Sequence, residues 1–150
     1  MLYKIEIFNK KNIPDGAADN FRKDIADLGI HNVTGAEVSF LYLADASCGA
    51  REIETVCNKL LADPVTQNYA CNRHVIKTTG SFSIEVLFKP GVTDAVGESV
   101  RIGIADLGIK GVKSVRTGMK YTVEGITKQD AVKIAEKLLA NKVVHNYTIL

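Results

Sequence analysis

Ala26-Asp27-Leu28-Gly29-Ile30 returns unchanged as Ala105-Asp106-Leu107-Gly108-Ile109, 79 positions later. Lys59-Leu60-Leu61-Ala62 returns as Lys137-Leu138-Leu139-Ala140, 78 positions later. Before the first anchor the offset of 79 pairs Ile5 with Ile84, Glu6 with Glu85, Lys10 with Lys89 and Asp15 with Asp94. The two offsets also pair Arg22 with Arg101, Ile25 with Ile104, Tyr42 with Tyr121 and Tyr69 with Tyr147. The order is kept with one single-residue gap, so the chain is a tandem duplication. Repeat 1 is read as residues 1–76, a linker as 77–81, and repeat 2 as 82–150. Two copies are too few for a solenoid, and the pattern predicts a pseudo-two-fold dimer within one chain.

Working outward from ADLGI, the preceding residues predict a helix in each copy. Ala18, Phe21, Ile25 and Leu28 share one stripe, as do Gly97, Val100, Ile104 and Leu107. Asp15 and Asp94 stand at the N-cap, and Gly29 and Gly108 at the C-terminal stop. Ile102 lies off the stripe, where the first copy has Lys23, so it is expected to be exposed or in an interface.

Tyr3-Lys4-Ile5-Glu6-Ile7 and Phe82 to Phe88 alternate as half-buried strands. Val33 to Val38 and Phe40 to Ala44 read as two further strands. In the second copy, Val112 to Arg116 and Lys120 to Val123 flank Thr117-Gly118-Met119, which suits a tight hairpin. A second helix follows, opened at Thr127 to Asp130 by a capping-box pattern. Closing strands are expected around Asn68 to Val75 and Asn146 to Leu150. Each copy thus reads β-α-β-β-α-β, an α+β ferredoxin-like order with antiparallel sheets and helices on one face.

The 150 residues are 46% hydrophobic and 24% charged with a net charge of +2, which excludes a disordered tail and gives no footprint for nucleic acid. Repeat 1 with its linker is nearly neutral, whereas the second half has a basic excess that includes Lys110, Lys113, Arg116 and Lys120. No signal peptide or membrane span is legible, and the three cysteines form no complete disulfide framework. A cytoplasmic protein is expected. Cys57 falls on a helical apolar stripe and reads as packing, as does Cys71 in a strand; Cys48 precedes a helix and reads as local capping or chance. His31, His74 and His145 have no partners at metal-ligand spacing. Glu6 and Glu85 read as solvent-facing or cross-copy ion-pair groups. No catalytic, cofactor or metal site is therefore predicted.

Three stretches of the second copy carry a resemblance: FKPGVTDAVGESV (88–100), LGIKGVKSVRTGMKYTVEG (107–125) and AVKIAEKLLANKVVHNYTI (131–149). The first copy keeps NIPDG, ADLGI and NKLLADPVTQNY more loosely. Together they resemble the PurS family, the small subunit of phosphoribosylformylglycinamidine synthase. The large single-chain synthetases carry two such units in their N-terminal region, and the tandem chain resembles that arrangement. The resemblance implies a non-catalytic scaffold of purine biosynthesis that bridges glutaminase and ATP-dependent synthetase components for ammonia transfer. ATP, Mg and glutamine would be used by those partners, and this chain would need no cofactor; further self-association is left open. The expected partner surface is Arg116, Gly118, Lys120 and Tyr121 on the hairpin, with Ile102. The rival expectation is an ACT-like regulatory module that binds small molecules.

Overall fold

Six strands and four helices appear in the computed structural model, which describes residues 1–72 and 80–150. β1 (Leu2–Asn9), α1 (Gly16–Asp27), β2 (Gly35–Ala46), α2 (Ala50–Val56) and β3 (Gln67–Cys71) come from the first repeat. β4 (Ser81–Phe88), α3 (Ala95–Asp106), β5 (Val112–Glu124), α4 (Lys128–Ile134) and β6 (His145–Ile149) come from the second. α2 and α4 each end in a wide π turn, Cys57–Leu61 and Ala135–Leu139. The strands are hydrogen-bonded in the order β3-β1-β2-β5-β4-β6.

Local chemistry sets the helix ends as the sequence predicts. The Asp15 carboxylate accepts from the Ala18 N–H at 3.1 Å, and Asp94 from the Gly97 N–H at 2.8 Å. Gly29 and Gly108 take φ of +88° and +83° just past α1 and α3, a region most side chains resist. Thr127 and Asp130 form the reciprocal capping box at the start of α4. The duplicated Lys10 and Lys89 also have one job: each amine donates to a loop carbonyl ahead of the closing strand, that of Pro64 or Lys142.

The expected hairpins are not formed. β2 and β5 each run on as one strand of 12 and 13 residues. A three-residue hairpin loop needs a residue at positive φ, usually glycine. Gly118 instead stays within β5, where both halves of the strand hydrogen-bond to neighbours. Each repeat is therefore β-α-β-α-β with a long central strand. The α+β class and the duplication stand. The expected linker lies mostly outside the described residues, as do the end of the first closing strand and His74.

The compact units do not coincide with the repeats. One unit comprises Met1–Ile13, Phe40–Arg73 and Thr93–Gly118; the other comprises Pro14–Ser39, His74–Val92 and Met119–Leu150. In the first unit, Ile5, Ile7, Ile53, Val56 and Cys57 from repeat 1 share a core with Ile104 and Val115 from repeat 2. In the second unit, Phe21 and Ile25 from repeat 1 share a core with Ile84, Val86, Val123 and Ile134 from repeat 2. The ADLGI helices thus change places: α1 is buried among strands of repeat 2, and α3 among strands of repeat 1. The stripe holds at Phe21, Ile25 and Ile104, which are buried, but Val100 is only half-buried and Leu107, expected on it, is exposed.

α3 lies tight against β5. The Asp94 carboxylate accepts from the Thr117 N–H at 2.6 Å and from its hydroxyl at 2.9 Å. A Cβ on Gly97 would lie 2.3 Å from the Val115 carbonyl oxygen. Gly97→Ala should therefore cost about 1–3 kcal/mol, by overpacking against backbone that cannot retreat. Denaturant melts measure the loss. Its counterpart in α1 is already Ala18, so the tight approach belongs to α3 alone.

Candidate functional site

β5 carries four of the five residues expected to form a partner surface. Side chains alternate along a strand. Val115, Tyr121 and Val123 face the helix-covered cores. Arg116, Gly118 and Lys120 take the alternate positions. Arg116 is exposed and lies in the first unit with Gly118. Lys120 is buried at 7% exposure and lies with Tyr121 in the second. The Tyr121 ring packs on Phe21 with centroids 4.9 Å apart, and burial raises its phenol pKa. No turn presents these residues together, so the expected exposed hairpin is corrected: without it, Lys120 and Tyr121 are drawn into the sheet.

The solvent-facing reading of Glu6 and Glu85 is also corrected. Both are buried, at 5% and 8% exposure, and neither faces solvent. Burying a carboxylate is tolerated when polar or charged contacts replace water, and both residues make such contacts. In the second unit Ser39, Ser83 and Lys120 are buried with Glu85, and the Ser83 hydroxyl lies 3.1 Å from that of Thr122. This polar row is not legible from alternation alone, because alternation predicts water on that face.

Ile102 on α3 is 49% exposed. Val96, at 57%, is exposed on the same helix, and Leu107, at 39%, at its C-cap. Sequence reading singled out Ile102 and missed Val96, and it put Leu107 on the inward stripe, which its exposure corrects. The available signal was the comparison of copies: Val96 and Ile102 stand where α1 has Ala17 and Lys23. Nearby, Arg101 donates to the Glu98 carboxylate through Nε at 2.9 Å, which lowers the Glu98 pKa and raises that of Arg101. Arg101 is thus engaged in a local surface ion pair.

The thiols are poor nucleophiles. Burial pushes the Cys57 pKa up to about 12, with smaller contributions from Cys71 and Glu54. Cys48 is raised by burial and then by Glu52. His145 accepts from the Asn141 N–H and stacks against Phe88 at 5.1 Å, a structural role. Among the described residues no group of three His, Cys, Asp or Glu could hold a metal ion, and no helix is long and apolar enough to cross a membrane.

The profile of the PurS family, described as phosphoribosylformylglycinamidine (FGAM) synthase, matches residues 2–74 and again 81–150. The chain belongs to the PurS family. The PurS subunit of phosphoribosylformylglycinamidine synthase from Synechocystis sp. is 34% identical over 70 residues, spanning 43% of this chain and 70% of that protein. The crystal structure of Methanocaldococcus jannaschii PurS, one of the subunits of formylglycinamide ribonucleotide amidotransferase, is 28% identical. It aligns with a TM-score of 0.41 over 47% of this chain and 92% of its own. Each repeat is thus one PurS-like length of sequence, and the pair of matches accounts for nearly the whole chain.

Proposed function

We propose that this chain is a non-catalytic component of FGAM synthase in purine biosynthesis. It binds the glutaminase and ATP-dependent synthetase components and keeps them in register, so that ammonia released from glutamine is delivered to the synthetase. The observation that carries this reading is the end-to-end match of both repeats to the PurS family. The burial of Cys57, which raises its thiol pKa, fits a role exercised through surface. The glutaminase, ATP and Mg chemistry belongs in this reading to the partner components.

The contact surface is proposed on the outer side of α3, where Val96 and Ile102 are exposed. Such side chains contribute to binding by leaving water when a partner covers them. The other copy of this helix shows Lys23 at the place of Ile102, so the two repeats offer a partner different faces.

The experiment is reconstitution from separately purified components. Ile102→Asp should leave the melting temperature nearly unchanged, because the side chain is half in water. It should weaken co-elution with the partner components by about tenfold or more, as truncation of an interface anchor does. Glutamine-dependent activity should fall with it. Ammonia-dependent activity should fall less, since free ammonia needs no glutaminase. Wild-type glutamine-dependent activity in the variant would remove α3 from the interface. Failure of the native chain to bind either component would end the scaffold reading.

A further inference from the structure

Within the first unit, β3, β1 and α2 border a cleft of about 440 Å³ that is open to solvent on one side. Met1, Tyr3, Ile53, Cys57, Tyr69 and Cys71 line it. Two of these are thiols brought together from different elements. Cys71 pairs with Ile5 across the β3–β1 ladder, so both side chains point to the same face of the sheet. Ile5 and Cys57 belong to one buried core. Cys57 sits on the π turn that continues α2. Cys71 lies at the exposed rim of the cleft and Cys57 at its buried side. The proximity is also felt electrostatically, since Cys71 contributes to the raised pKa of Cys57.

Packing alone does not call for sulfur here. The second repeat has Ala135 and Ile149 at the matching positions. Both belong to its apolar core, Ala135 fully buried and Ile149 packed against it. The first repeat instead has two thiols. Soft thiolate ligands select Cu(I) over the hard cations.

We propose that Cys57 and Cys71 form a two-thiolate site for a thiophilic monovalent cation of the Cu(I) class. The step is an exchange without redox change: Cu(I) displaces the proton of each thiol, and both protons go to solvent. The product is a bis-thiolate complex with one net negative charge. The metal supplies what the buried Cys57 thiol lacks at neutral pH, a driving force for deprotonation. The bound ion links α2 to the sheet-edge strand β3.

The test is an anaerobic titration of the reduced chain with Cu(I) in competition with bathocuproine disulfonate. The expected result is one ion per chain withheld from the chelator, with two protons released per ion at neutral pH. Cys48→Ala should bind as the native chain does. Cys71→Ser and Cys57→Ala should each lose about a hundredfold or more in affinity. Cys57→Ala reproduces the residue that the second repeat already buries, so its melting curve should still show a folded protein. Retention by Cys71→Ser equal to that of the native chain would overturn the site, as would loss of binding in Cys48→Ala. No retention by the native chain would overturn it as well. The readout is independent of the synthase components.

Discussion

Expressed alone, residues 1–79 should not fold as a stable monomer. The fragment would keep Phe21 and Ile25 but lose Ile84, Val86, Val123 and Ile134, the residues among which they are buried. Its remaining core would lose Ile104 and Val115. Burying one large aliphatic side chain contributes roughly 1.5–3 kcal/mol. A whole domain is stable by only about 5–15 kcal/mol. Several lost burials at once therefore exceed what a fragment of this size can spare. Two copies of the fragment could restore each other's core by the same exchange of helices. The expected result is an unfolded chain at low concentration and a self-associated one at high concentration. Light scattering and denaturant melts at two concentrations distinguish these states. A cooperative melt that is independent of concentration, from a monomer, would show that a repeat encloses its own core.

Ile25→Ala should cost about 2–5 kcal/mol, the range for deleting a fully buried aliphatic side chain that leaves a cavity. The informative measurement is its coupling. Ile25 and Ile84 share one core though they come from different repeats. A double-mutant cycle between them should show an interaction energy of about 0.5–3 kcal/mol, as expected for packed neighbours. If each repeat enclosed its own core, Ile25 would couple to Ile5 or Ile7 and be additive with Ile84. The cycle thus reads the exchange of helices directly in solution.

What was legible in the sequence follows the range of the forces that set it. The Asp15 and Asp94 caps, the Gly29 and Gly108 stops and the Thr127–Asp130 box depend on atoms within a few residues. The inward stripe depends on helical period, and Phe21, Ile25 and Ile104 obey it. The hairpin at Thr117-Gly118-Met119 was misread because glycine permits a turn but does not compel one. Whether β5 turns or continues depends on which strand is available beside it, and alternation carries no information about that. The same non-local choice buries Lys120, Glu6 and Glu85 on positions that period two assigns to water. Which strands each ADLGI helix covers was likewise hidden, because Ile25 and Ile104 are the same residue and the helical stripe does not say which strands it meets. Of the candidate surface, Ile102 could be placed from its mismatch with Lys23; Val96 needed the same comparison applied to a smaller difference.

The exchange of α1 and α3 bears on how such a gene can change. In an assembly of two identical single-repeat subunits, every substitution arrives twice, once on each side. A tandem gene lifts that constraint: Lys23 and Ile102 can differ on one molecule while Ile25 and Ile104 stay alike. The shared cores then make the arrangement hard to reverse. Neither half can be deleted without stripping the other of buried residues, so a lineage that fused its repeats this way keeps both, and keeps an outward face that occurs once per molecule.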